Sequence, residues 1–237
     1  MKRLIFMTAA FAVCMLSMAQ SDSYTMQVYL SGGDVQSFSV SDVDSVVFVE
    51  TADESSSSNT NYINGHEAVD LGLSVKWATC NIGADSPEDY GNYYAWGEIE
   101  TKSSYTAANS VYYGVEIDDI AGNADYDAAT ANWGSTWRMP TWDEIVEIVY
   151  DCTWEWTTQN DVNGCLVTGS NGNSIFFPAA SYRTGTSLGN AGNSGRYWCS
   201  MTDSSTSYGY LFGFDSGGPN LYWMYRYYGL PVRPVTE

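Results

Sequence analysis

Residues 196–235 read RYWCSMTDSSTSYGYLFGFDSGGPNLYWMYRYYGLPVRPV and place aromatic residues in dense alternation. Glycine and serine interrupt the run, and a Val-Arg-Pro-Val segment closes it. This pattern predicts β-strands. Because successive side chains of a strand point to opposite faces, one face can fill a core while the other shows tyrosine, tryptophan and methionine to solvent. The stretch therefore favours a binding surface over a catalytic pocket.

Within this stretch, GYLFGFD and LYWMYRY flank the turn residues 216–220 and predict an antiparallel pair, with Pro219 in the connection. In the second strand, Leu221, Trp223 and Tyr225 share one face, and the intervening residues share the other. A small sheet cannot bury all of these rings, and an exposed aromatic patch commonly marks an interaction site. The ligand contacts predicted here are Tyr208, Tyr222, Met224, Arg226, Tyr227 and Tyr228.

An alternative explanation is that this edge packs against a second copy of the chain or against the amino-terminal unit. Self-association is therefore open at this stage, and so is the alternative that the protein is a structural component of a surface assembly. If the surface instead binds a ligand, either an extracellular protein or a glycan fits it, because tyrosine and tryptophan offer rigid contact area to both.

Upstream of the aromatic stretch, Thr141 and Glu144 form a capping box directly after Pro140, which predicts a helix over 142–152. Its apolar residues fall on one stripe at helical spacing. A second, shorter helix is predicted to start at Ser86, with Pro87 in its first turn. Asn171-Gly172 between two apolar runs predicts a hairpin.

The beginning of the chain has the pattern of a signal peptide over residues 1–19. Lys2 and Arg3 precede an apolar run, and a Ser-Met-Ala sequence supplies the small residues of a cleavage site. Lipid attachment at Cys14 is a weaker alternative. No later run approaches the ~20 apolar residues of a membrane span. We expect export, with the protein in the periplasm, on the outer surface or secreted.

Three organisational units follow. Residues 20–50 predict a small three-stranded β unit, and the serine-rich residues 51–61 predict a linker. Residues 62–237 are long enough to form a main domain with its own core.

The chain is strongly acidic, with 28 acidic and 9 basic residues and a net charge of −19. Nucleic acid is an unfavourable partner for such a surface, because phosphate backbones require lysine and arginine. The charge fits solubility outside the cell.

Catalytic and metal-binding patterns are weak. The chain has one histidine, His66, beside the predicted linker, and a nucleophile usually needs a positioned base. A carboxylate-dependent hydrolase remains an alternative, and calcium binding to an acidic cluster is possible. The candidate carboxylates are Glu98, Glu100, Asp118, Asp119, Asp125 and Asp127, of which the last four form the calcium candidate. No catalytic residue, metal ligand or cofactor is assigned.

Four cysteines follow the predicted cleavage site: Cys80, Cys152, Cys165 and Cys199. An even number in an exported chain predicts two disulfides, and the three possible pairings cannot be distinguished from spacing. None of the four has the Cys-x-x-Cys spacing of a zinc site.

Several segments together resemble the Fibrobacter succinogenes major paralogous domain, a family of exported bacterial domains abundant in the Bacteroidetes. The matching segments run in order through most of residues 69–235. They are VDLGLSVKWATCN (69–81), YAWGE (94–98), DAA (127–129), WG (133–134), WRMPT (137–141), CTW (152–154), FPAA (177–180), YW (197–198), Gly229 and VRPV (232–235).

The resemblance implies an α+β, C-type-lectin-like domain with a small twisted antiparallel sheet, one or two helices and long ordered loops. Some relatives of that fold are diversified by retroelements in their carboxy-terminal strands, at positions corresponding to 208–228 here. The resemblance also suggests that Cys165 pairs with Cys199, leaving Cys80 to pair with Cys152.

The sequence departs from two activities of related proteins. The Glu-Pro-Asn, Gln-Pro-Asp and Trp-Asn-Asp signatures of calcium-dependent sugar-binding lectins are absent. The cysteine pair of the related sulfatase-activating enzymes is also absent, because Cys199 is alone in its part of the chain. The sequence thus predicts a non-enzymatic recognition or adhesion module.

Overall fold

A computed structural model describes residues 25–29, 35–39, 60–203 and 205–237. The chain divides into two compact units, Met1–Ser56 and Ser57–Glu237. The predicted signal peptide, the predicted third strand near residue 45 and nearly all of the predicted linker lie outside the described residues.

In the first unit, strands β1 (Thr25–Tyr29) and β2 (Val35–Ser39) pair antiparallel. Thr25 pairs with Ser39 and Tyr29 with Val35. These are two of the strands predicted for the small β unit.

The second unit is a mixed α+β structure of mostly antiparallel sheets. A four-stranded sheet has the order β14-β5-β4-β3, and two three-stranded sheets have the orders β6-β7-β8 and β11-β12-β13. A short β9–β10 pair completes the described set. The strands are β3 (Thr60–Ile63), β4 (His66–Asp70), β5 (Lys76–Ala78), β6 (Thr153–Gln159), β7 (Val162–Thr168), β8 (Ser174–Pro178), β9 (Tyr182–Thr184), β10 (Ser187–Gly189), β11 (Gly195–Thr202), β12 (Tyr208–Asp215), β13 (Gly218–Tyr225) and β14 (Val235–Thr236).

Two α-helices lie in the described part of this unit, α1 (Ala128–Trp133) and α2 (Trp142–Asp151). The predicted capping box of α2 is present: the Thr141 hydroxyl accepts from the Glu144 N–H, and the Glu144 carboxylate accepts from the Thr141 N–H. Arg138 also pairs with Glu144 at 2.6 Å, which fixes the helix start. None of the helices in the described ranges is long and apolar enough to span a bilayer.

Two large apolar clusters fill the second unit. The first core packs α2 against strands from all three larger sheets and includes Trp77, Ile145, Ile148, Phe177, Phe212 and Phe214. The second core lies against the other face of the β11–β13 sheet and includes Tyr94, Trp96, Ala129, Trp198, Leu211 and Leu230. The sheet that carries the aromatic tail is therefore covered on both faces.

The carboxy-terminal segment returns to the beginning of the domain. β14 pairs with β5, with Val235 opposite Trp77. Arg233 is fully buried and donates to Asn81 Oδ1 at 2.8 Å and to the carbonyls of Ala78 and Phe176. This side chain links β5, β8 and the end of the chain.

Two local predictions are wrong. Residues 86–89 form turns rather than a helix, because the Asp89 carboxylate accepts from the Asp85 and Ser86 N–H groups and caps a turn there. Pro219 lies inside β13, opposite Phe214, rather than in the connection. β13 is the outer strand of its sheet, and an edge position tolerates a residue without an N–H group. The Asn171-Gly172 hairpin is confirmed, with Thr168 paired to Ser174 and Gly172 at a φ of 87°.

Candidate ligand-binding surface

The tail side chains take their directions from the pairing of β12 with β13. Phe212 pairs with Leu221 on the face toward the first core, and Leu211 pairs with Tyr222 on the face toward the second. At the far end of this ladder Tyr208 lies directly opposite Tyr225. Directly opposed residues bring their Cβ atoms within about 5.5 Å, so the register places two tyrosine rings together where the sheet ends.

Six partly exposed tyrosines form one contiguous group, here called the tyrosine cluster: Tyr113, Tyr182, Tyr208, Tyr225, Tyr227 and Tyr228. Ring centroids are 4.6 Å apart for Tyr208 and Tyr225 and 5.3 Å apart for Tyr225 and Tyr227, both stacked. Tyr228 lies 4.9 Å from Tyr227 and 5.5 Å from Tyr182. Each ring thus restrains the next.

Different elements contribute these rings. Tyr182 belongs to β9, Tyr208 to β12 and Tyr225 to β13, while Tyr113 comes from the long connection that precedes α1. The main-chain pairing of Arg183 with Gly229 holds β9 beside the end of the tail. Gly229 allows this approach, because a Cβ atom there would lie 2.6 Å from the buried Tyr105 ring.

The predicted contacts Tyr208, Tyr222, Met224, Tyr227 and Tyr228 are each partly exposed. Tyr222, Met224 and Tyr228 rest against the second core. Trp223, which is not among the predicted contacts, is 63% exposed. The surface is thus built of half-buried rings whose inner parts are packed and whose outer parts are free.

Two phenols of the cluster, Tyr208 and Tyr227, have raised pKa values. The hydrogen bond with Tyr225 raises the pKa of Tyr208 to about 12. Burial, followed by the charge of Tyr228, raises the pKa of Tyr227. Both phenols are therefore neutral at physiological pH and keep their O–H donors.

Arg226, which was predicted to contact ligand, is buried beneath this surface. Its side chain is 1% exposed and lies 4.3 Å above the Trp96 ring. It donates to the carbonyls of Val115 at 2.7 Å and Tyr208 at 3.2 Å, and to the Thr202 hydroxyl. The guanidinium donors of Arg226 are therefore bonded to distant parts of the chain. Arg226 stabilises the surface from its buried side.

The residues that sequence reasoning missed are Tyr113, Tyr182, Tyr225 and Arg196. The guanidinium of Arg196 lies 5.5 Å from the Tyr182 centroid and 5.4 Å from the Tyr222 centroid. Its Nη1 is 3.6 Å from the Met224 sulfur. Alternation along β11 could have indicated Arg196, because it precedes the buried Tyr197 and must point to the opposite face.

The acidic residues named from sequence do not form a single group. Asp127 is buried as the N-cap of α1, and its carboxylate accepts four N–H groups, including those of Gly122 and Met139. Asp118 and Asp119 instead line a cavity of about 520 Å³. Across the described ranges, no three acidic, cysteine or histidine side chains are grouped so as to hold a metal ion.

The side chains of Glu98 and His66, also considered as catalytic candidates, are engaged in local contacts. Glu98 is paired with Lys102 at 2.7 Å and accepts from the Val111 N–H. His66 stacks on Trp133 with ring centroids 3.5 Å apart, and burial lowers its pKa. The imidazole is therefore packed against an aromatic ring at the edge of the domain's third, smaller apolar cluster.

The two predicted disulfides are not formed in the structure, where Cys80, Cys152, Cys165 and Cys199 are free thiols. Cys80 lines a cavity of about 360 Å³ beside His66, whereas Cys152 caps the end of α2 against the first core. The suggested pair of Cys80 with Cys152 is thus not bonded in the structure. Cys165 and Cys199 are buried within the first core, on β7 and β11.

A family described as a domain of unknown function, DUF8237, matches residues 141–235. The chain is similar to this family over the part that runs from the cap of α2 to β14 and includes both strands of the tail hairpin. No curated protein and no solved structure matches significantly.

Proposed function

We propose that this chain is an exported recognition module that binds an extracellular ligand through the tyrosine cluster together with Tyr222 and Met224. The observation that carries this proposal is the unbroken series of ring contacts from Tyr208 through Tyr225, Tyr227 and Tyr228 to Tyr182. All of these rings are partly exposed.

Such a surface binds at low entropic cost. A free tyrosine loses rotamer freedom when a ligand immobilises it, at about 0.5–1.5 kcal/mol for each side chain. In the tyrosine cluster the neighbouring rings already restrain one another, so more of the contact energy remains for affinity. The O–H groups at the ring ends add directional hydrogen bonds.

The fold proposal has separate support. We infer a C-type-lectin-like domain of the Fibrobacter succinogenes major paralogous type, preceded by a small β unit. The pairing of β14 with β5, the two helices and the long ordered connection before α1 agree with that inference. In some relatives of that fold the carboxy-terminal strands carry the ligand-binding positions, and the tyrosine cluster lies on the corresponding strands here.

The test is a glycan and protein array probed with wild type and with the double variant Tyr222→Ala/Tyr228→Ala. The matched control is Tyr62→Ala/Tyr150→Ala, because these two tyrosines are 68% and 67% exposed and lie outside the cluster. We expect the first variant to lose the binding that wild type shows and the control to keep it. Unchanged binding by a folded first variant would contradict the proposal.

Size-exclusion chromatography separates ligand binding from assembly. We expect a monomer for both wild type and the double variant. A wild-type dimer that dissociates in the double variant would mean that the surface binds a second copy of the chain, and the proposal of an external ligand would be wrong.

A further inference from the structure

Arg196 has an environment that differs from those of the other buried or paired arginines. Arg138 forms ion pairs with Glu144 and Glu237, and Arg226 and Arg233 donate to backbone carbonyls. Within the described ranges, the Arg196 side chain has neither an ion pair nor a hydrogen bond to oxygen, and its only polar contact is the Met224 sulfur.

The missing acceptors matter because the guanidinium is partly desolvated. The Arg196 Nε is buried and has no partner among the described atoms. A buried donor left without an acceptor costs about 1–3 kcal/mol, and more when the group is charged. In a chain with 28 acidic residues, this cation is nevertheless not neutralised by a described carboxylate.

The rings around Arg196 keep the guanidinium in place. Tyr182 and Tyr222 lie at 5.5 and 5.4 Å, within the range of cation–π attraction. Tyr182 also contacts Tyr228 and so joins the guanidinium to the tyrosine cluster. A planar donor group held between rings at the edge of an aromatic surface is suited to bind a carboxylate through two parallel hydrogen bonds.

We propose that Arg196 is the anion anchor of this surface and that the ligand is a glycan carrying an isolated carboxylate, of the uronic acid type. The proposal rests on the function proposed above. The carboxylate would accept from the Nη groups of Arg196, the apolar face of the sugar ring would pack on Tyr222 or Tyr182, and the phenol groups would bind sugar hydroxyls.

Charge selects among anionic ligands. The net charge of −19 repels a polyanion as a whole, whereas a single carboxylate meets mainly the local field of Arg196. A sparsely charged glycan is therefore favoured over a densely sulfated one.

The test uses calorimetric titration with a trisaccharide that ends in one glucuronate and with its carboxyl-reduced counterpart. We expect wild type to bind the acidic sugar at least about tenfold more tightly than the reduced one, as follows from losing a charge-assisted hydrogen-bond pair. Arg196→Gln should lose that preference, and Arg196→Lys should keep only part of it, because lysine lacks the planar fork.

Arg183→Gln is the matched control. Arg183 neighbours Tyr182 on β9, and its guanidinium lies 4.9 Å from the centroid of the Tyr93 ring. Its replacement by glutamine removes one positive charge, as Arg196→Gln does. Its side chain points to the opposite face from Tyr182, so we expect an affinity within about twofold of wild type. Circular dichroism and thermal unfolding establish that each variant is folded.

The outcomes separate the two proposals. If Tyr222→Ala/Tyr228→Ala loses binding but Arg196→Gln binds fully, the role proposed for Arg196 is wrong and the proposed function stands. Unchanged binding of the acidic sugar in the tyrosine variant overturns the proposed function as well. Equal affinity of wild type for both trisaccharides, or binding of an acidic peptide in place of both, overturns the inference that the ligand is a carboxylated glycan.

Discussion

Tyr208 and Tyr225 lie directly opposite each other on β12 and β13, and their rings stack with centroids 4.6 Å apart. The backbone register thus determines the first contact of the tyrosine cluster. The hydrogen bond between the two phenols raises the pKa of Tyr208 to about 12. The contact between these two tyrosines can therefore be tested by titrating the Tyr208 phenol.

We expect Tyr225→Phe to keep the ring stack but to lower the pKa of Tyr208 from about 12 toward its ordinary value near 10. Nuclear magnetic resonance of ring-labelled tyrosine, with Tyr208→Phe to assign the signal, measures this change. An unaltered midpoint in Tyr225→Phe would show that the hydrogen bond does not control Tyr208.

The same pair makes stability depend on pH. The folded pKa of Tyr208 is raised, so its contribution is complete below the unfolded value near 10 and is lost as the pH rises toward about 12. We expect the free energy of unfolding to fall more steeply between these values in wild type than in Tyr225→Phe. Urea titrations at several pH values measure both slopes, and equal slopes would contradict the prediction.

Arg226→Met should destabilise the fold by about 2–4 kcal/mol, because it leaves the Val115 and Tyr208 carbonyls without their charged donor. Urea unfolding measures the loss. Arg196→Gln is the comparison, and we expect a much smaller change there, since Arg196 has no oxygen acceptor among the described residues. Equal stability of wild type and Arg226→Met would contradict the structural role of Arg226.

Local signals were sufficient to predict several elements of the fold. The capping box of Thr141 and Glu144 predicted α2, because both of its hydrogen bonds lie within four residues. The period of two in the tail predicted β12 and β13 and the face to which Leu221 and Tyr222 point. These features depend on neighbouring residues and are therefore readable from sequence.

The composition of the surface was only partly predictable. Alternation put Arg226 on the face of Tyr222 and Met224, but its acceptor at Val115 is 111 residues away and covers it only in the folded chain. Tyr182 and Arg196 reach the surface on other strands for the same reason. Alternation within one strand predicts the face to which a side chain points. It does not predict which distant residues cover that face.

Gly209→Ala should destabilise the domain by about 1–3 kcal/mol through overpacking. A Cβ atom at this position would lie 2.7 Å from the Trp96 ring and 3.2 Å from the Trp198 ring. Neither ring can move freely, because Trp96 donates to the Cys199 carbonyl and Trp198 to the Tyr94 carbonyl. Thermal unfolding measures the effect.

The control for that change is Gly217→Ala in the exposed turn between β12 and β13. There the nearest atom to an added Cβ is the Asp215 Oδ1 at 3.0 Å, at the end of an exposed side chain that can shift. We expect a smaller loss than for Gly209→Ala. The reverse order of the two melting temperatures would contradict the packing described around Trp96.

The thiols provide a test of the buried core. Burial raises the pKa of both Cys165 and Cys199 to about 12, and that of Cys152 to about 11. The thiolate is the reactive form, so at pH 8 we expect Cys165 and Cys199 to resist a thiol reagent in the folded protein, and the partly exposed Cys80 to react first.

A thiol count tests whether the cysteines are free. For protein produced from residue 20 onward, we expect four thiols to react in denaturant without reductant. Two thiols or none under those conditions would show that disulfides form after all, and mapping of the linked peptides would then show whether Cys165 pairs with Cys199.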